Sequence, residues 1–251
     1  MPPSSTIKTI GLFGFGQFGR LVVRHLSGHF DITIHDPAAC KPATAQHQFS
    51  SVAKTAGCDL VILAVPVSSI AATCQKIRDH LKPDCIVMDV GSVKMAPAEA
   101  MLRNLPDNIN VIGSHPLFGP QSAANSLEGH KIAICNIRGR ADRQVSTFLR
   151  RILGLKVYTL SAEEHDREAA VSQGLTHLIA KVPSQMDPLP TRMTTVSFDL
   201  LLEAIAMVKN DPPNVFAAIE QENPFAAEVR QDFLVRATKL GSSLTHSSAG
   251  S

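Results

Sequence analysis

Short apolar runs and amphipathic segments alternate over the first 160 residues of the chain. Apolar runs typical of buried strands occur at residues 7–13, 31–36, 59–66, 85–90, 109–113, 131–135 and 156–160. Apolar residues at helical spacing predict helices that begin after the first of these runs and over residues 69–81, 97–105 and 140–153. This alternation predicts an α/β fold with a doubly wound, mostly parallel sheet.

A glycine-rich turn with the pattern GxGxxG separates the first predicted strand from the first predicted helix. Gly14 permits the tight turn, Gly16 lets the backbone approach a pyrophosphate, and Gly19 lets the helix pack closely on the strand. Gln17 and Phe18 begin the helix, whose first N–H groups and positive dipole end face bound phosphates. This context predicts a dinucleotide-binding site, with a plain tight turn as the alternative.

An acidic residue ends the second predicted strand, as a dinucleotide site requires. Asp36 follows Gly14 by 22 residues, close to the spacing of about 20 for a carboxylate that binds the ribose hydroxyls. No basic residue follows until Lys41, and a carboxylate repels a 2′-phosphate, so NAD is favoured over NADP. The alternative is that Asp36 only caps a turn. Val65 and Pro66, at the end of the next strand, are expected to line the same site.

The pattern changes near residue 161, after which helical spacing continues and no strand is predicted. One long helix is predicted over residues 163–182, and two or three more are predicted over residues 196–208 and 213–240. We therefore expect a Rossmann-type domain, a smaller all-α domain and a disordered tail rich in Ser and Gly, over residues 1–161, 162–241 and 242–251. A helical domain of about 80 residues has a thin core, so we expect it to dimerise or to pack closely on the first domain.

The composition excludes several classes of function. A net charge of +2 with dispersed basic residues does not indicate binding to nucleic acid or to an anionic membrane. No apolar run reaches the ~18–20 residues of a membrane span, and the amino terminus lacks a basic-then-apolar leader, so we expect a cytoplasmic protein. The five cysteines are never spaced as CxxC, which indicates reduced thiols and neither disulfides nor a metal site.

Two further predicted strand ends carry a hydroxyl and an imidazole. Ligands of open α/β sheets bind beyond the carboxyl ends of the strands, where Ser92 and His115 are placed. An imidazole that accepts a hydroxyl proton, and a serine that orients that hydroxyl, suit hydride transfer from an alcohol carbon. Each residue also has a structural alternative. Ser92 could cap the next helix, and His115 could be a loop residue without a catalytic role.

Several segments resemble the prephenate/arogenate dehydrogenase family of tyrosine biosynthesis. They are residues 14–19 (GFGQFG), 63–66 (LAVP), 89–94 (DVGSVK) and, most specifically, 113–120 (GSHPLFGP). Residues 163–177 resemble that family's first long helix after the sheet, and the resemblance covers residues 7–240. The sequence is most similar to the short, plant-like members. The resemblance implies the NAD-dependent oxidative decarboxylation of a cyclohexadiene, in which hydride leaves the ring carbon that bears the 4-hydroxyl and carbon dioxide is lost as the ring becomes aromatic.

The resemblance also implies roles for individual residues. His115 matches the catalytic histidine that accepts the proton of the 4-hydroxyl, and Ser92 matches a serine that shares this hydroxyl near the nicotinamide. His177, with Gln173 or Thr176 one turn before it, matches helix residues that line the substrate pocket. Residues at i and i+4 share one helix face, which agrees with this assignment. The alternative for His177 is an amphipathic-helix residue at a domain boundary.

Two features depart from the family pattern. Gln121 stands at the expected mouth of the pocket, where many relatives have an acid. Many relatives also have an arginine shortly before an Asp-Pro step, and none precedes Asp211 at that spacing. The substitutes that we consider for binding the substrate carboxylate are a residue of a dimer partner, Lys209, Arg236, Arg192 and Arg230. A guanidinium fork suits a carboxylate best, so Arg192 and Arg230 lead, with exposed helix charges as the alternative for Arg230 and Arg236.

The choice between prephenate and arogenate depends on whether the substrate side chain carries a keto or an ammonium group. An acidic residue in the pocket would favour arogenate by charge pairing. Asn214 lies roughly where some plant-like relatives have that acid, and its neutrality favours prephenate. Asp211 nearby would favour arogenate, which the enzyme would convert to tyrosine.

Two other interpretations remain open. Dehydrogenases of the 6-phosphogluconate or 3-hydroxyacid type share the two-domain plan, but they use a lysine on the first long helix, where this chain has Gln173 and His177, with Lys181 one turn further along. A non-catalytic NAD(H) sensor would need neither Ser92 nor His115, and it would bind NAD(H) without substrate-dependent formation of NADH. We expect an NAD-dependent dehydrogenase of prephenate or arogenate that forms a homodimer through its helical domain.

Overall fold

A computed structural model describes residues 7–38, 48–186, 189–190, 192–209 and 211–246. The chain divides into two compact units, Met1–His165 and Asp166–Ser251. The predicted boundary at residues 161/162 lies four residues before this division. The difference arises because the first turn of the helix that begins at Ala162 packs with the first unit, through a contact between His165 and His115.

One eight-stranded sheet forms the centre of the first unit. Its strands are β1 (Thr9–Phe13), β2 (Asp31–His35), β3 (Gln48–Phe49), β4 (Leu60–Leu63), β5 (Ile86–Asp89), β6 (Asn110–Pro116), β7 (Lys131–Arg138) and β8 (Lys156–Thr159). Across the sheet the order is β3-β2-β1-β4-β5-β6-β7-β8, and all neighbouring pairs are parallel except β6 and β7. The predicted α/β fold with a doubly wound, mostly parallel sheet is confirmed.

Helices cover both faces of this sheet. They are α1 (Gln17–Leu26), α2 (Val52–Ala56), α3 (Ile70–Ile77), α4 (Met95–Asn104) and α5 (Asp142–Arg151). Side chains of α1 and α5 join Ile10 and Leu12 in one buried apolar cluster, while side chains of α3 and α4 join Phe13 and Leu63 in a second. Successive strand residues point to opposite faces, so strands covered on both sides require the continuous apolar runs seen in the sequence.

Some elements and boundaries differ from the sequence prediction. The pattern missed β3 and α2, which have two and five residues and are too short to show a period. The hydroxyl of Ser51 caps α2 by accepting a hydrogen bond from the N–H of Lys54 at 3.3 Å. Strand β6 extends three residues beyond its predicted end because β7 pairs with those residues. His115 therefore lies inside a strand.

The described part of the second unit consists of helices and turns. Helix α6 (Ala162–Ala169) enters this unit and is followed by α7 (Leu175–Lys181), α8 (Val196–Lys209), α9 (Pro213–Ala217) and α10 (Ala226–His246). A π-helical turn, Ala170–Gly174, joins α6 to α7, and a second, Ala218–Glu222, follows α9. Insertions of this type widen one helical turn and are frequent at functional sites.

The structure contains two helices where one or two were predicted over residues 213–240, and the second extends beyond the predicted end. The break falls at Asn223, whose side-chain N–H donates to the carbonyl of Asp166 at 2.8 Å and whose side-chain oxygen accepts from the N–H of Phe225 at 2.9 Å. Helix α10 then continues to His246 and occupies the first five residues of the predicted disordered tail. Residues 247–251 lie outside the described residues. Serine lowers helix propensity by less than about 1 kcal/mol, which does not end an established helix.

The described cysteines are free thiols in the interior. They are Cys58, Cys74, Cys85 and Cys135, while Cys40 lies outside the described residues. Burial raises the pKa of Cys74 to about 12 and that of Cys85 to about 11, so both thiols stay protonated at neutral pH. Within the described ranges no helix is long and apolar enough to span a membrane, and no group of His, Cys, Asp and Glu residues has the arrangement of a metal site.

Candidate active site

Four neighbouring strands, β2, β1, β4 and β5, end in one row at the carboxyl edge of the sheet, and β6 passes this row at Gly113 and continues to Pro116. The register pairs His35 with Phe13, Phe13 with Leu63, Leu63 with Asp89, and Asp89 with Gly113. The segments that follow these residues, including the last three residues of β6, therefore begin side by side. They contain the predicted cofactor-binding and catalytic residues, at the edge where ligands bind in open α/β sheets.

The turn between β1 and α1 has the backbone geometry of a phosphate cradle. Gly14 has a φ of +96°, and a Cβ there would lie 2.2 Å from the carbonyl oxygen of Ala64, so only glycine fits. A Cβ on Gly19 would lie 2.2 Å from the carbonyl oxygen of Gly14. A Cβ on Gly16 would meet no atom within 4 Å, so space above it is open. Helix α1 begins at the next residue, and the N–H groups of its first turn lack helical acceptors.

Asp36 connects this turn to the end of β2. Its carboxylate accepts a hydrogen bond from the N–H of Phe15 at 2.6 Å and another from the N–H of Ala38 at 2.8 Å. The second bond is the turn cap that was the alternative for Asp36. The first holds the carboxylate beside the glycine turn, where a ribose-binding acid is required. The two interpretations are therefore compatible.

The remaining predicted cofactor residues lie around the same turn. Gln17 is exposed and Phe18 half-buried in the first turn of α1. Val65 is half-buried and Pro66 exposed directly after β4, and Val65 Cγ1 would lie 3.3 Å from a Cβ on Gly14. Backbone N–H donors bind phosphates, a carboxylate binds the ribose hydroxyls, and an apolar side chain packs against a ring of the dinucleotide. The residues present thus fit a bound dinucleotide.

A buried ion pair joins the ends of β5 and β6. The Lys94 ammonium donates to the Asp89 carboxylate and, at 2.6 Å, to the carbonyl oxygen of Ser114. The Ser114 hydroxyl donates to the carbonyl of Asp89 at 2.6 Å, and the N–H of Gly91 donates to the Asp89 carboxylate at 2.8 Å. Burial raises the pKa of the Asp89 carboxyl, and the Lys94 charge acts in the opposite direction. The network fixes the two strand ends that carry the predicted catalytic residues.

Ser92 lies in the turn that this network holds. It is half-buried and stands between Gly91, which donates to Asp89, and Lys94. Helix α4 begins at Met95, and the side chain of its N-cap residue, Lys94, makes no capping hydrogen bond.

His115 projects from β6 on the face of the sheet that Lys94 occupies. Ser114 and Pro116 line an apolar cavity of about 250 Å³ between the sheet and helices α1 and α5, so His115 points to the opposite face. A Cβ on Gly113, which shares that face, would lie 3.2 Å from Cδ of Lys94. Burial lowers the pKa of His115 well below its usual value, and the charges of His165 and Lys94 act in the same direction. The imidazole is therefore neutral at pH 7 and able to accept a proton.

A second imidazole, that of His165, contacts His115. His115 Nδ1 and His165 Nε2 are 2.8 Å apart, and the ring planes are inclined at 64°. Each residue is 4% exposed. Sequence analysis did not propose His165 as a site residue, although residues 163–177 contributed to the family resemblance. The available signal was a histidine in the first turn of a helix that follows the last strand.

A separate polar cluster surrounds His177 in the second unit. His177 Nε2 lies 3.5 Å from Oδ2 of Asp211, and its ring centroid is 6.0 Å from that of Phe216. The Lys181 ammonium lies 4.4 Å from the centroid of the same phenyl ring. Burial lowers the pKa of His177, while the negative charges of Asp211 and Glu220 oppose that effect. Two acids and a histidine thus share one region of the helical unit.

Glu220, which sequence analysis did not identify, is the more deeply buried acid of this cluster. It is 7% exposed, and its carboxylate accepts a hydrogen bond from Arg230 at 2.5 Å. A Cβ on Gly174, in the π-helical turn before α7, would lie 3.6 Å from Glu220 Oε1. Among the described residues, neither this oxygen nor Nδ1 of His177 has a hydrogen-bond partner. Arg230, predicted to bind the substrate carboxylate, is engaged by Glu220.

The π-helical turn affects which neighbours accompany His177. Gln173 is half-buried within this turn. Thr176 is exposed, and its hydroxyl donates to the carbonyl of Ser172 at 2.6 Å. Of the two candidates for the same face as His177, Gln173 is therefore the one that is partly buried with it.

The other candidates for substrate binding have exposed side chains. These are Gln121 after β6, Arg192 before α8, and Asn214 in α9. The side chain of Lys209 lies outside the described residues. Arg236 pairs with Asp232 on the exposed surface of α10, at 2.8 Å, as expected for an ordinary helix charge.

Family comparison agrees with this arrangement of strands and site residues. Residues 34–160, about half of the chain, match the family model described as prephenate dehydrogenase, nucleotide-binding domain. The chain belongs to this prephenate dehydrogenase family. The resemblance seen in the sequence motifs is confirmed, and the matched region includes Asp36, Ser92 and His115.

Curated relatives of this family member carry arogenate and prephenate dehydrogenase names. A probable arogenate/prephenate dehydrogenase of Methanocaldococcus jannaschii is 26% identical over 187 residues, which are 70% of this chain and 41% of that protein. The chloroplastic arogenate dehydrogenase 2 of Arabidopsis thaliana is 27% identical over 248 residues, which are 90% of this chain and 66% of that protein. The chain thus spans less than two thirds of the length of each relative.

Solved structures of similar proteins share the fold. The crystal structure of prephenate dehydrogenase from Aquifex aeolicus with hydroxyphenyl propionate and NAD+ has a TM-score of 0.76 at 20% identity, covering 98% of this chain and 94% of that chain. Synechocystis arogenate dehydrogenase has a TM-score of 0.68 at 19% identity, covering 96% of this chain and 93% of that chain. These similarities establish a Rossmann-type domain followed by a helical domain.

Proposed function

We propose that this protein catalyses the NAD-dependent oxidative decarboxylation of prephenate to 4-hydroxyphenylpyruvate in tyrosine biosynthesis. The observation that carries the proposal is a neutral, buried imidazole at the strand edge that also bears the dinucleotide cradle. His115 provides this imidazole, and Ser92 lies at the end of the neighbouring strand. Membership of the prephenate dehydrogenase family supports the same reaction.

The reaction transfers a hydride and releases a carboxyl group. Hydride leaves the ring carbon that bears the hydroxyl, for which the bound dinucleotide supplies the acceptor. The bond between ring and carboxylate breaks, and its electron pair passes into the ring as carbon dioxide leaves and the ring becomes aromatic. The hydroxyl proton is removed as hydride leaves and is returned to the phenolate oxygen that forms. Atoms and charge therefore balance without a further oxidant.

His115 and Ser92 handle this proton. Nε2 of His115 accepts it, because Nδ1 is already engaged by His165. Burial disfavours the imidazolium, so the proton is held only briefly and is readily given back to the product oxygen. The Ser92 hydroxyl hydrogen-bonds the substrate hydroxyl and orients it towards the imidazole. The Lys94–Asp89 pair holds both strand ends in place.

Asp36 is the basis for NAD as the cofactor. Its carboxylate is fixed beside the glycine turn by the N–H of Phe15, and the two residues that follow it are Pro37 and Ala38. An acid at this position accepts hydrogen bonds from the ribose hydroxyls and repels a 2′-phosphate. NADPH formation is therefore expected to be much slower than NADH formation.

Arogenate is the second candidate substrate, and the His177 cluster favours it. His177 is the residue proposed to line the substrate pocket, and Asp211 lies 3.5 Å from it. The negative charges of Asp211 and Glu220 both act on His177. An ammonium group on the substrate would pair with these charges, whereas a keto group would not. Asn214, whose neutrality favours prephenate, is exposed.

We propose in addition that the protein forms a homodimer through its helical domain. Of the 17 large apolar side chains exposed among the described residues, 12 belong to the second unit. Helix α10 alone exposes Leu234, Val235, Leu240 and Leu244. Exposed apolar surface of this kind marks an interaction site. Light scattering should give the mass of two chains, and a monomer at micromolar concentration would contradict the proposal.

Initial rates with both substrates and both cofactors test the function. NADH and NADPH formation are measured with prephenate and, separately, with arogenate. Fast NADH formation with prephenate supports the proposal as stated, and faster turnover of arogenate supports the second candidate. Saturable NAD binding without turnover of either substrate would overturn the enzymatic function in favour of a sensor.

A further inference from the structure

The pair of imidazoles formed by His115 and His165 has one proton to share. The two nitrogens in contact, Nδ1 of His115 and Nε2 of His165, are 2.8 Å apart, which is a hydrogen-bond distance. Both side chains are buried and sit within the first unit. When both rings are neutral, one of these nitrogens must donate and the other must accept.

The two possible arrangements have opposite consequences for His115. If His115 donates from Nδ1, its Nε2 carries a lone pair and is basic. If His165 donates from Nε2, the proton of neutral His115 is on its own Nε2, which then cannot accept another from an alcohol. The direction of this single hydrogen bond therefore decides whether His115 is a base or a donor.

We propose that His165 is the positioning residue that holds His115 with its proton on Nδ1, so that Nε2 is the basic nitrogen of the site. This inference rests on the proposed dehydrogenase function, which requires a base at that position. His165 acts through His115 and is itself on the first turn of α6, so the residue at the start of the helical region completes a site on strand β6.

An imidazole partner has a different effect from the carboxylate that orients histidine in serine hydrolases. A carboxylate fixes the tautomer but also stabilises the imidazolium. An imidazole partner fixes the tautomer without adding negative charge. The Lys94 ammonium, in the turn before α4, acts on His115 and is itself paired with Asp89. The surroundings thus disfavour a lasting imidazolium, in agreement with a proton that must be returned to the product.

Two substitutions of His165 separate hydrogen bonding from packing. His165→Gln places an amide oxygen near the position of Nε2 and keeps an acceptor for Nδ1–H. His165→Met introduces an apolar side chain of similar length and removes the acceptor. We expect His165→Met to lower kcat roughly 10- to 100-fold, less than the ~10⁴-fold loss when a charged orienter is altered. KM should change little, and His165→Gln should restore most of kcat.

The matched control is His25→Met, at a half-buried histidine of α1. Nε2 of His25 contacts the carbonyl of Ala123 at 2.9 Å, and the side chain borders the apolar cavity on the other face of the sheet. This change removes a hydrogen bond of similar length without touching His115, so kcat should stay at the wild-type value. Equal loss of kcat in both Met variants, or none in His165→Met, would overturn the proposal.

His165→Glu adds a negative charge beside His115, and its effect is measured in the pH profile of kcat/KM. A carboxylate at this position favours the imidazolium form of His115. The acidic limb of kcat/KM should therefore move to higher pH, by about 1 unit or more. An acidic limb unchanged from wild type would show that residue 165 does not act on the base.

Nitrogen-15 NMR of histidine-labelled protein reads the tautomer directly and does not depend on turnover. At pH 7.5 the His115 signals, assigned by their loss in His115→Asn, should show a protonated Nδ1 and an unprotonated Nε2. A protonated Nε2 on neutral His115 would overturn the proposal even in an active enzyme. If the protein showed the expected tautomer but no dehydrogenase activity, the proposed function would be wrong, while the proposed direction of the hydrogen bond would stand.

Discussion

The two polar clusters of this protein are built by different kinds of geometry. At the sheet edge, strand register sets the positions, and buried charges and rings pair within the unit, as in Lys94 with Asp89 and His115 with His165, while Oδ1 of Asp89 lacks a hydrogen-bond partner among the described residues. Around His177, π-helical turns set the positions, and Nδ1 of His177 and Oε1 of Glu220 lack hydrogen-bond partners among the described residues. Native proteins rarely leave such atoms unpaired.

We infer from this difference that the two clusters have separate functions, which mutations can test. A cluster built around a buried ion pair and a pair of imidazoles should control chemistry and stability. A cluster in which a histidine nitrogen and a carboxylate oxygen both lack partners should control the binding of a ligand that supplies them. Substitutions at the sheet edge are therefore expected to act on kcat and folding, and substitutions around His177 on KM.

The largest effect is expected from His115→Asn. Loss of the general base should lower kcat by roughly 10²–10⁴-fold, while NAD affinity stays unchanged because the glycine turn and Asp36 are untouched. Steady-state rates and a dinucleotide titration measure the two quantities separately. Turnover at the wild-type rate would remove His115 from the mechanism. The sheet-edge cluster would then have no larger role in kcat than the cluster around His177.

The next effect concerns stability at the sheet edge. Lys94→Met leaves the Asp89 carboxylate buried without its cation and should lower the free energy of unfolding by about 3–5 kcal/mol. Lys82→Met is the matched control, because Lys82 is half-exposed and pairs with Asp59 at 3.0 Å on the surface. That change should cost less than about 1 kcal/mol. Similar midpoints of urea unfolding for both variants would contradict the structural role of Lys94.

A smaller effect is expected in the helical cluster. His177→Asn should raise KM about 10-fold and change kcat little, since a lost hydrogen bond to substrate is worth about 1–2 kcal/mol. Ser172→Ala serves as the control, because its exposed hydroxyl bonds only the carbonyl of Glu168 among the contacts described. A fall in kcat without a change in KM would place His177 in the chemistry and blur the distinction between the clusters.

The smallest effect is a pH dependence of stability. Burial lowers the pKa values of His115 and His177 in the folded protein, so below the unfolded value of 6.5 the unfolded chain binds more protons. The free energy of unfolding should therefore fall as the pH is lowered from 7.5 to 5.5. Burial of Asp89 raises its pKa and acts in the opposite direction.

The comparison of wild type with His115→Asn isolates one histidine from these opposing groups. Urea unfolding of both proteins at pH 7.5 and 5.5 should show a smaller loss of stability in the variant. Equal losses of unfolding free energy in the two proteins would mean that His115 does not contribute to the pH dependence of stability.

Much of the sheet edge was predictable because its signals are local. A strand, a glycine turn and a helix follow one another within residues 7–26, and the segments that end in Ser92 and His115 follow apolar runs. The carboxyl ends of parallel strands meet at one edge, so these local signals suffice to bring the residues together. The structure confirms this fold, and the family comparison agrees with it.

The partners of these residues could not be predicted in the same way. His165 is 50 positions from His115, and no periodicity connects a helix start with a strand interior. Lys94 has no exposed surface, although lysine is almost never buried unless it is paired. In the second unit, the π-helical turns and the break at Asn223 alter the helix faces that 3.6-residue spacing predicts. Glu220 is therefore found only from the structure.

The alternation of β6 has a consequence for changes in chain length. Gly113 and His115 face one side of the sheet, and Ser114 and Pro116 face the apolar cavity on the other. Inserting one residue into the strand before His115 would exchange these sides, placing a hydroxyl in the site and an imidazole among apolar side chains. Inserting two would restore the side but displace the imidazole by about 7 Å. An odd number of inserted residues thus moves the base to the wrong side of the sheet, and an even number moves it along the strand. Changes in chain length that keep the base in place therefore fall outside this strand.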